Sequence, residues 1–513
     1  MADLICVRQN AYYDSVTLMT LSNKLKKMEG VQDAVVSMAT DMNKELLAGI
    51  NLSNAEVEAA GANDLLIAVR ADSDELCQQV SEQVDVLLAA NGKGGKKKTE
   101  QTFRTIAQAK GAEPELNLAV ISVAGKYAAR EARQALKNDM HVMLFSDNVT
   151  VEQEKELKEM AHEKGLLVMG PDCGTAILNG VGLCFANQVR RGDIGMVGAS
   201  GTGLQEVTVL VDRLGGGVSQ AIGTGGRDLS ADIGGRMMLD GIDLLDADEA
   251  TRVIVLISKP PVKEVADKVL ARVARCKKPV VVCFIGAAGG EDVPGAVFAK
   301  SLDDAARKAV ALSKGQALEE EAPFHAPAAL LEAAKALAPG QKYIRGLYCG
   351  GTLASEALYE IAKECSPVYS NVAKKPEQKM KDLAVSEAHT IIDLGDDAFT
   401  VGRPHPMIEP ELRNDRLLAE ALDPETAVVL LDFELGYGSH EDPAGVALEA
   451  IRAAQEKNLA AGRKVLFVGY ILGTDSDFQN YAAQRAALEE AGVVVAGSNL
   501  DAVRMALAAV NGR

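Results

Sequence analysis

Two glycine-rich turns carry the residues best suited to chemistry. Ser200-Gly201-Thr202-Gly203 follows the apolar run 194–197 and opens a helical pattern. At such a turn the first backbone N–H groups of the helix lack intrahelical acceptors and face outward at its positive end, a seat for phosphate or another small anion. A shift of 150 residues carries Gly201-Thr202 onto Gly351-Thr352, behind Gly350, and the same shift carries Glu206 onto Glu356. The chain contains the same socket twice. Glu206, in the opening turns of the first helix, is a candidate acid–base or substrate-contacting carboxylate, although the helix dipole alone would favour an acid there.

Four further side chains could act on an anionic substrate. His405 lies between two prolines in Gly402-Arg403-Pro404-His405-Pro406, where an imidazole could orient a substrate, exchange a proton or accept phosphate, or merely brace the loop. Arg403, and Arg227 within Gly225-Gly226-Arg227-Asp228, could each grip a carboxylate or phosphate with two parallel hydrogen bonds. Lys259, in Ser258-Lys259-Pro260-Pro261, follows another apolar run. Cys173 and Cys349 lie near glycine turns, with nothing to mark them as activated nucleophiles.

The elements that must position these groups are strands of open parallel sheets, whose carboxyl ends are where ligands bind. In residues 190–313 the apolar runs 194–197, 218–222, 253–257 and 280–285 each empty into glycines or polar residues. Residues 343–513 repeat the plan, with runs 390–394, 427–431 and 465–470. Two related flavodoxin-like domains are predicted, their sockets opposed across an interface. Residues 113–189 read as a Rossmann-like domain without the G-x-G-x-x-G turn, so a dinucleotide is not indicated. Residues 1–90 have the alternation of a small α/β domain, ACT-like or ferredoxin-like, suited to docking. Linkers are expected at 91–112 and 314–342. The fold class is α/β: several doubly wound parallel-sheet domains with a small α/β N-terminal domain.

Composition narrows the partners. A chain of 513 residues needs several cores, and a net charge of −18 argues against nucleic acid or an anionic membrane while leaving room for small anions held at helix ends. Eight cysteines without CxxC spacing, and no leader-like start, fit a reduced cytoplasm. No apolar run approaches the ~20 residues that span a bilayer. With six histidines scattered along the chain, no metal site is assigned.

At this point a resemblance is specific enough to use. Gly170-Pro171-Asp172-Cys173-Gly174, Gly192-Asp193-Ile194-Gly195-Met196-Val197 with Ser200-Gly201-Thr202, Gly225-Gly226-Arg227-Asp228 and Lys278-Pro279-Val280-Val281 are similar, in order, to the α subunit of succinyl-CoA synthetase. The second repeat resembles the carboxyl-terminal domain of that enzyme's β subunit. Across nearly the whole length the chain looks like the FdrA branch of this superfamily, with Phe145-Ser146-Asp147-Asn148-Val149-Thr150 and Gly402-Arg403-Pro404-His405-Pro406-Met407-Ile408 among its marks. The resemblance implies a Rossmann-like CoA-binding-type domain, two ligase domains, two helix amino ends around a phosphate, and Glu206 in the position of a glutamate that touches a phosphohistidine. That histidine is expected after 280–285, but the chain reads Gly286-Ala287-Ala288-Gly289-Gly290 there, and no His lies between 163 and 324. No stretch resembles an ATP-grasp domain, so use of a nucleoside triphosphate would need a partner chain.

What the resemblance then suggests is a subunit of oxamate carbamoyltransferase, which interconverts oxalurate plus phosphate with oxamate plus carbamoyl phosphate. Alternatives are an acyl-CoA ligase subunit, with CoA as substrate and a separate nucleotide-binding chain, and a non-catalytic CoA- or anion-sensing scaffold. An oligomer with partner chains is expected in each case.

Overall fold

Runs of β-branched residues fix the centres of the sheets. Val253–Ser258 is buried along its whole length, as are Val280–Phe284, His389–Asp393 and Thr426–Glu434, which is the burial of strands covered by helices on both faces. The computed structural model describes residues 2–9, 11, 13, 15–26, 28, 30–50, 52–61, 63–93, 101–286, 293–400 and 403–512. They fall into two compact units, Met1–Thr102 and Phe103–Arg513.

The first unit is a three-stranded antiparallel sheet with Leu65–Ala71 between Ala2–Arg8 and Val31–Met38. Helices Ser15–Lys26 and Asp74–Lys93 supply the apolar cluster on one face. A second cluster on the other face is closed by two short helices that hydrophobic periodicity did not reveal, Asp41–Gly49 and Ala55–Ala59. Their signal lies in their caps: Thr40 accepts the N–H of Asn43, and Asn54 that of Val57. The expected linker 91–112 includes the end of helix Asp74–Lys93 and a helix at Ile106–Ala112, while residues 94–100 lie outside those described.

The second unit holds three sheets. Leu118–Ile121, His141–Leu144 and Val168–Met169 form a small parallel sheet of Rossmann-like pattern. The seven-stranded sheet runs Ala296–Phe298, Val280–Phe284, Val253–Ser258, Arg191–Gly198, Val218–Gly223, Thr175–Leu178, Val181–Cys184. Its last two strands form an antiparallel hairpin that joins Val218–Gly223, so residues 175–184, read from sequence as part of the Rossmann-like segment, belong to this sheet instead. The six-stranded sheet is wholly parallel, in the order Val368–Ser370, His389–Asp393, Tyr343–Tyr348, Thr426–Glu434, Leu466–Leu472, Val494–Ala496.

Between these two large sheets lie four helices, Gly201–Arg213, Leu302–Ser313, Gly351–Glu364 and Asn499–Asn511, which share one continuous buried cluster. The two repeats therefore share one core. In each sheet the socket strand, Arg191–Gly198 or Tyr343–Tyr348, has strands of both winding directions beside it. Both sockets thus open at a topological switch point, where diverging connections leave a crevice at the strand's carboxyl end.

Candidate functional site

The two sockets meet. Ser200 caps helix Gly201–Arg213 by accepting the Gly203 N–H on Oγ at 3.0 Å, and the same oxygen lies 2.5 Å from Thr352 Oγ1 in the first turn of helix Gly351–Glu364. Thr352 N–H points at Thr202 Oγ1 at 3.4 Å, and a Cβ on Gly350 would come within 2.8 Å of Thr202. Two positive helix ends this close need negative charge between them. They open into a cavity of about 520 Å³ that a third helix end also reaches, through Val123 and Ala124 ahead of helix Gly125–Lys137.

Of the socket residues, Ser200, Gly201, Thr202, Gly351 and Thr352 line the cavity. Gly203 and Gly350 do not, and their N–H groups are already used. Gly203 serves the Ser200 cap, and Gly350 donates to Asp432 Oδ2 at 3.1 Å. Lys259 and Gly226 line the wall, as do Arg403 and His405.

His405 is half-buried. It packs against Phe185 with ring centroids 5.7 Å apart, and its Nε2 lies so close to Gly395 that a Cβ there would be 2.4 Å away. Its Nδ1 receives the Met407 N–H at 3.2 Å, so the ring proton sits on Nε2, and burial pushes its pKa down to about 4. A neutral imidazole of this kind donates a hydrogen bond but does not clamp an anion by charge.

Three expected site residues are engaged by structural partners. Arg227, with its side chain 45% exposed, pairs with buried Glu154 at 2.9 Å and donates to the Val149 carbonyl at 2.7 Å, pinning helix Val151–Glu163. Asp228 is buried and accepts the N–H groups of Met237 and Met238 at the start of helix Arg236–Ala247, together with Lys158 Nζ. Gly225, at φ +83°, lets the turn press on the Pro171 carbonyl, 2.6 Å from a Cβ built there. Of that motif only Gly226 borders the cavity.

Glu206 is likewise absent from the cavity wall. It is buried and receives the Asn499 N–H at 3.3 Å, while Glu356 receives the Leu302 N–H at 3.0 Å and the Asn499 amide at 2.9 Å. Each glutamate reaches the amino end of a helix in the other repeat. The pair cross-links the two domains and stands off the cavity wall. Burial pushes Glu206 up to about 7, with the Tyr470 phenol opposing and the Glu356 carboxylate adding to the shift.

The groups that sequence reasoning passed over are carboxylates. Asp393, 7% exposed at the end of strand His389–Asp393, lines the cavity; one oxygen accepts the Gly395 N–H at 2.9 Å, and the other lies 2.4 Å from where a Cβ on Gly351 would stand. Burial raises its pKa to about 7, with Lys259 opposing. Asp147, Asp172 and Asp397 stand on the same wall, and burial with repulsion from Asp397 and Asp147 takes Asp172 up to about 6. Behind the second socket, Asp432 accepts the N–H groups of Cys349 and Gly350, and Arg413 donates to it at 3.1 Å and to Cys349 Sγ at 3.4 Å. Cys349, Asp432 and Glu434 bring ligand atoms within 4.8 Å of one another, but the Arg413 guanidinium already supplies the cation there. An acidic residue inside a buried strand run, as in Ile391-Ile392-Asp393-Leu394, was the available signal for these groups.

Two family models place the chain in the succinyl-CoA-synthetase-like superfamily. Residues 189–286 match a family model described as CoA binding domain, and residues 347–509 one described as CoA-ligase. The chain belongs to the family of YahF from Escherichia coli (strain K12), with which it is 50% identical over 504 residues, 97% of each chain. It is 25% identical over 178 residues to the succinate–CoA ligase [ADP-forming] subunit alpha of Methanothermobacter thermautotrophicus, 34% of this chain and 59% of that one. Among solved structures, a dinucleotide-forming acetyl-coenzyme A synthetase of Ca. Korarchaeum cryptofilum is similar with 16% identity and a TM-score of 0.35, covering 84% of this chain and 91% of that one.

Residues 1–104 match a model described as AllF, heavy metal-associated domain. The ligands for a soft metal do not fit. These residues hold no His and two cysteines, Cys6 on a strand and Cys77 on a helix. The Cys77 thiol is 3.3 Å from the Ala2 carbonyl, and burial pushes its pKa up, opposite to what a thiolate ligand needs.

Proposed function

We propose that this chain is a subunit of a cytoplasmic enzyme that transfers an acyl or carbamoyl group to or from phosphate, in the FdrA branch of the succinyl-CoA-synthetase-like superfamily. The specific reaction is that of oxamate carbamoyltransferase. The observation that carries the reading is the hydroxyl-to-hydroxyl contact of Ser200 and Thr352 at 2.5 Å, which opposes two helix amino ends at a cavity that also holds Lys259 and Arg403.

Such a cavity suits a reaction whose leaving group is phosphate. The amide nitrogen of oxamate attacks the carbamoyl carbon of carbamoyl phosphate, the bond from that carbon to the phosphate oxygen breaks, phosphate leaves with the electron pair, and the proton lost from the amide nitrogen passes to the departing phosphate. In this scheme the free N–H groups of Gly201 and Thr202 receive the phosphate, while Lys259 and Arg403 hold the oxamate carboxylate. The Nε2–H of His405 donates to the carbonyl oxygen under attack. Fixed donors of this kind act where charge develops, and positioning supplies much of the remaining rate.

A second reading, an acyl-CoA synthetase subunit using CoA with a nucleotide-binding partner, is favoured by the CoA-binding and CoA-ligase matches at 189–286 and 347–509. All eight cysteines are free, which supports the cytoplasmic assignment, and among the described residues no helix is long and apolar enough to cross a membrane.

The test incubates the chain, alone and with co-encoded partner chains, with carbamoyl phosphate and oxamate. Phosphate release, abolished by Ser200→Asp, is expected. No release under any combination, with thioester formed from a carboxylic acid and CoA at the expense of ATP, would establish the ligase instead. Ligand-dependent thermal shifts without turnover would leave a sensing scaffold.

A further inference from the structure

The second socket already contains an anion of its own. Asp393 is more than nine-tenths buried, and its Oδ2 has no hydrogen-bond donor among the described residues. That oxygen lies against Gly351, the first residue of helix Gly351–Glu364, where it would meet a Cβ at 2.4 Å, and Lys259 Nζ reaches the same point at 3.4 Å. The first socket has no such occupant: a Cβ built on Gly201 finds as its nearest neighbour the Thr175 hydroxyl at 3.6 Å.

A tetrahedral oxyanion entering between the helix ends would have to share this place with the carboxylate. Two negative groups a few ångström apart repel, and a proton on one removes the conflict. We propose that Asp393 is the resident counter-anion of the second socket, and that a phosphate-like ligand displaces its charge by entering together with one proton. This rests on the reading of the cavity as an anion site and adds to it a proton stoichiometry. The consequence is chemical: ligand release returns a carboxylate beside Lys259 and a proton to solvent.

The charged groups around Asp393 are consistent with this exchange. Lys259 reaches it from the segment after Val253–Ser258, Asp432 from Thr426–Glu434 and Asp396 from its own loop, with neutral His405 against Gly395. Repulsion from Asp396 and Asp432 adds to burial, and Lys259 opposes it. Asp172 also titrates on the cavity wall, so the assignment needs a variant that removes Asp393 alone.

Sulfate is the probe, because unlike phosphate it does not titrate near neutrality. With the full chain, its apparent Kd by calorimetry from about pH 5.5 to 8.5 is expected to rise towards about tenfold per pH unit above neutrality. In Asp393→Asn the tenfold-per-unit rise above neutrality is expected to be lost, leaving the shallower dependence that Asp172 contributes around pH 6, with binding more than about tenfold tighter than wild type at the alkaline end. Lys259→Met, which leaves the carboxyl in place, is expected to move the midpoint of the wild-type profile to higher pH, a readout that holds even if Asp393→Asn fails to fold. Identical pH slopes in wild type and Asp393→Asn, an unmoved midpoint in Lys259→Met, or no saturable sulfate binding to wild type at the acid end would each overturn the proposal. Proton-coupled sulfate binding without phosphate release from carbamoyl phosphate would remove the transferase reading alone.

Discussion

The first and second sockets share a backbone but not a chemistry. At the first, the helix end is capped by its own Ser200 and opens onto the cavity through the N–H groups of Gly201 and Thr202. At the second, helix Gly351–Glu364 has no side-chain cap. Buried carboxylates stand in for one, with Asp432 beneath the turn on Cys349 and Gly350, and Asp393 against Gly351. A repeated fold can therefore keep its geometry while one copy stays a receptor for external charge and the other acquires internal charge. The two glutamates show the opposite tendency. Glu206 and Glu356 keep equivalent roles, each docking onto a helix of the other repeat.

The sharpest break in this comparison is Arg413→Met. It removes the buried cation beside Asp432 and Glu434, and it is expected to cost about 3–5 kcal/mol in equilibrium denaturation, an effect with no counterpart at the first socket. Glu206→Gln tests the interdomain contact through pH. Burial raises the folded-state pKa from 4.5 to about 7, so the folded chain holds this proton more tightly than the unfolded one. The resulting stability is full below the unfolded pKa and is lost as pH rises through about 7. The glutamine variant is thus expected to unfold later than wild type at about pH 8, by up to about 3 kcal/mol, and to match it at about pH 4.

Paired glycine substitutions come next. Gly351→Ala drives a methyl into the Asp393 carboxylate and is expected to cost about 1–3 kcal/mol in thermal or denaturant unfolding. Gly201→Ala meets only ordinary contacts and is expected to stay within about 0.5 kcal/mol of wild type. Ser200→Ala, the loss of the cap on Gly203 N–H, is expected to cost about 1 kcal/mol, between the two glycine substitutions. Equal costs at the two glycines would show the sockets to be alike after all.

Much of the fold was legible because it is written in local pattern. The strand runs at 194–197, 253–257 and 427–431, the two glycine turns and the 150-residue shift each follow from periodicity and turn chemistry that no distant residue can alter. The misplaced hairpin at 175–184 shows where this ends, since its strands pair with Val218–Gly223 through contacts that local pattern does not encode. The same limit governed the site. Sequence determined that two helix ends with free N–H groups exist, and that Lys259, Arg403 and His405 stand on loops at strand ends. Only the tertiary structure decided that the helix ends meet, that Glu206, Arg227 and Asp228 spend their charges on neighbouring helices, and that Asp393 faces the second socket. The reason is physical: a helix end or a turn is made by residues close in sequence, whereas the partner of a charge, and the burial that sets its proton affinity, come from whichever distant elements the core packs beside it.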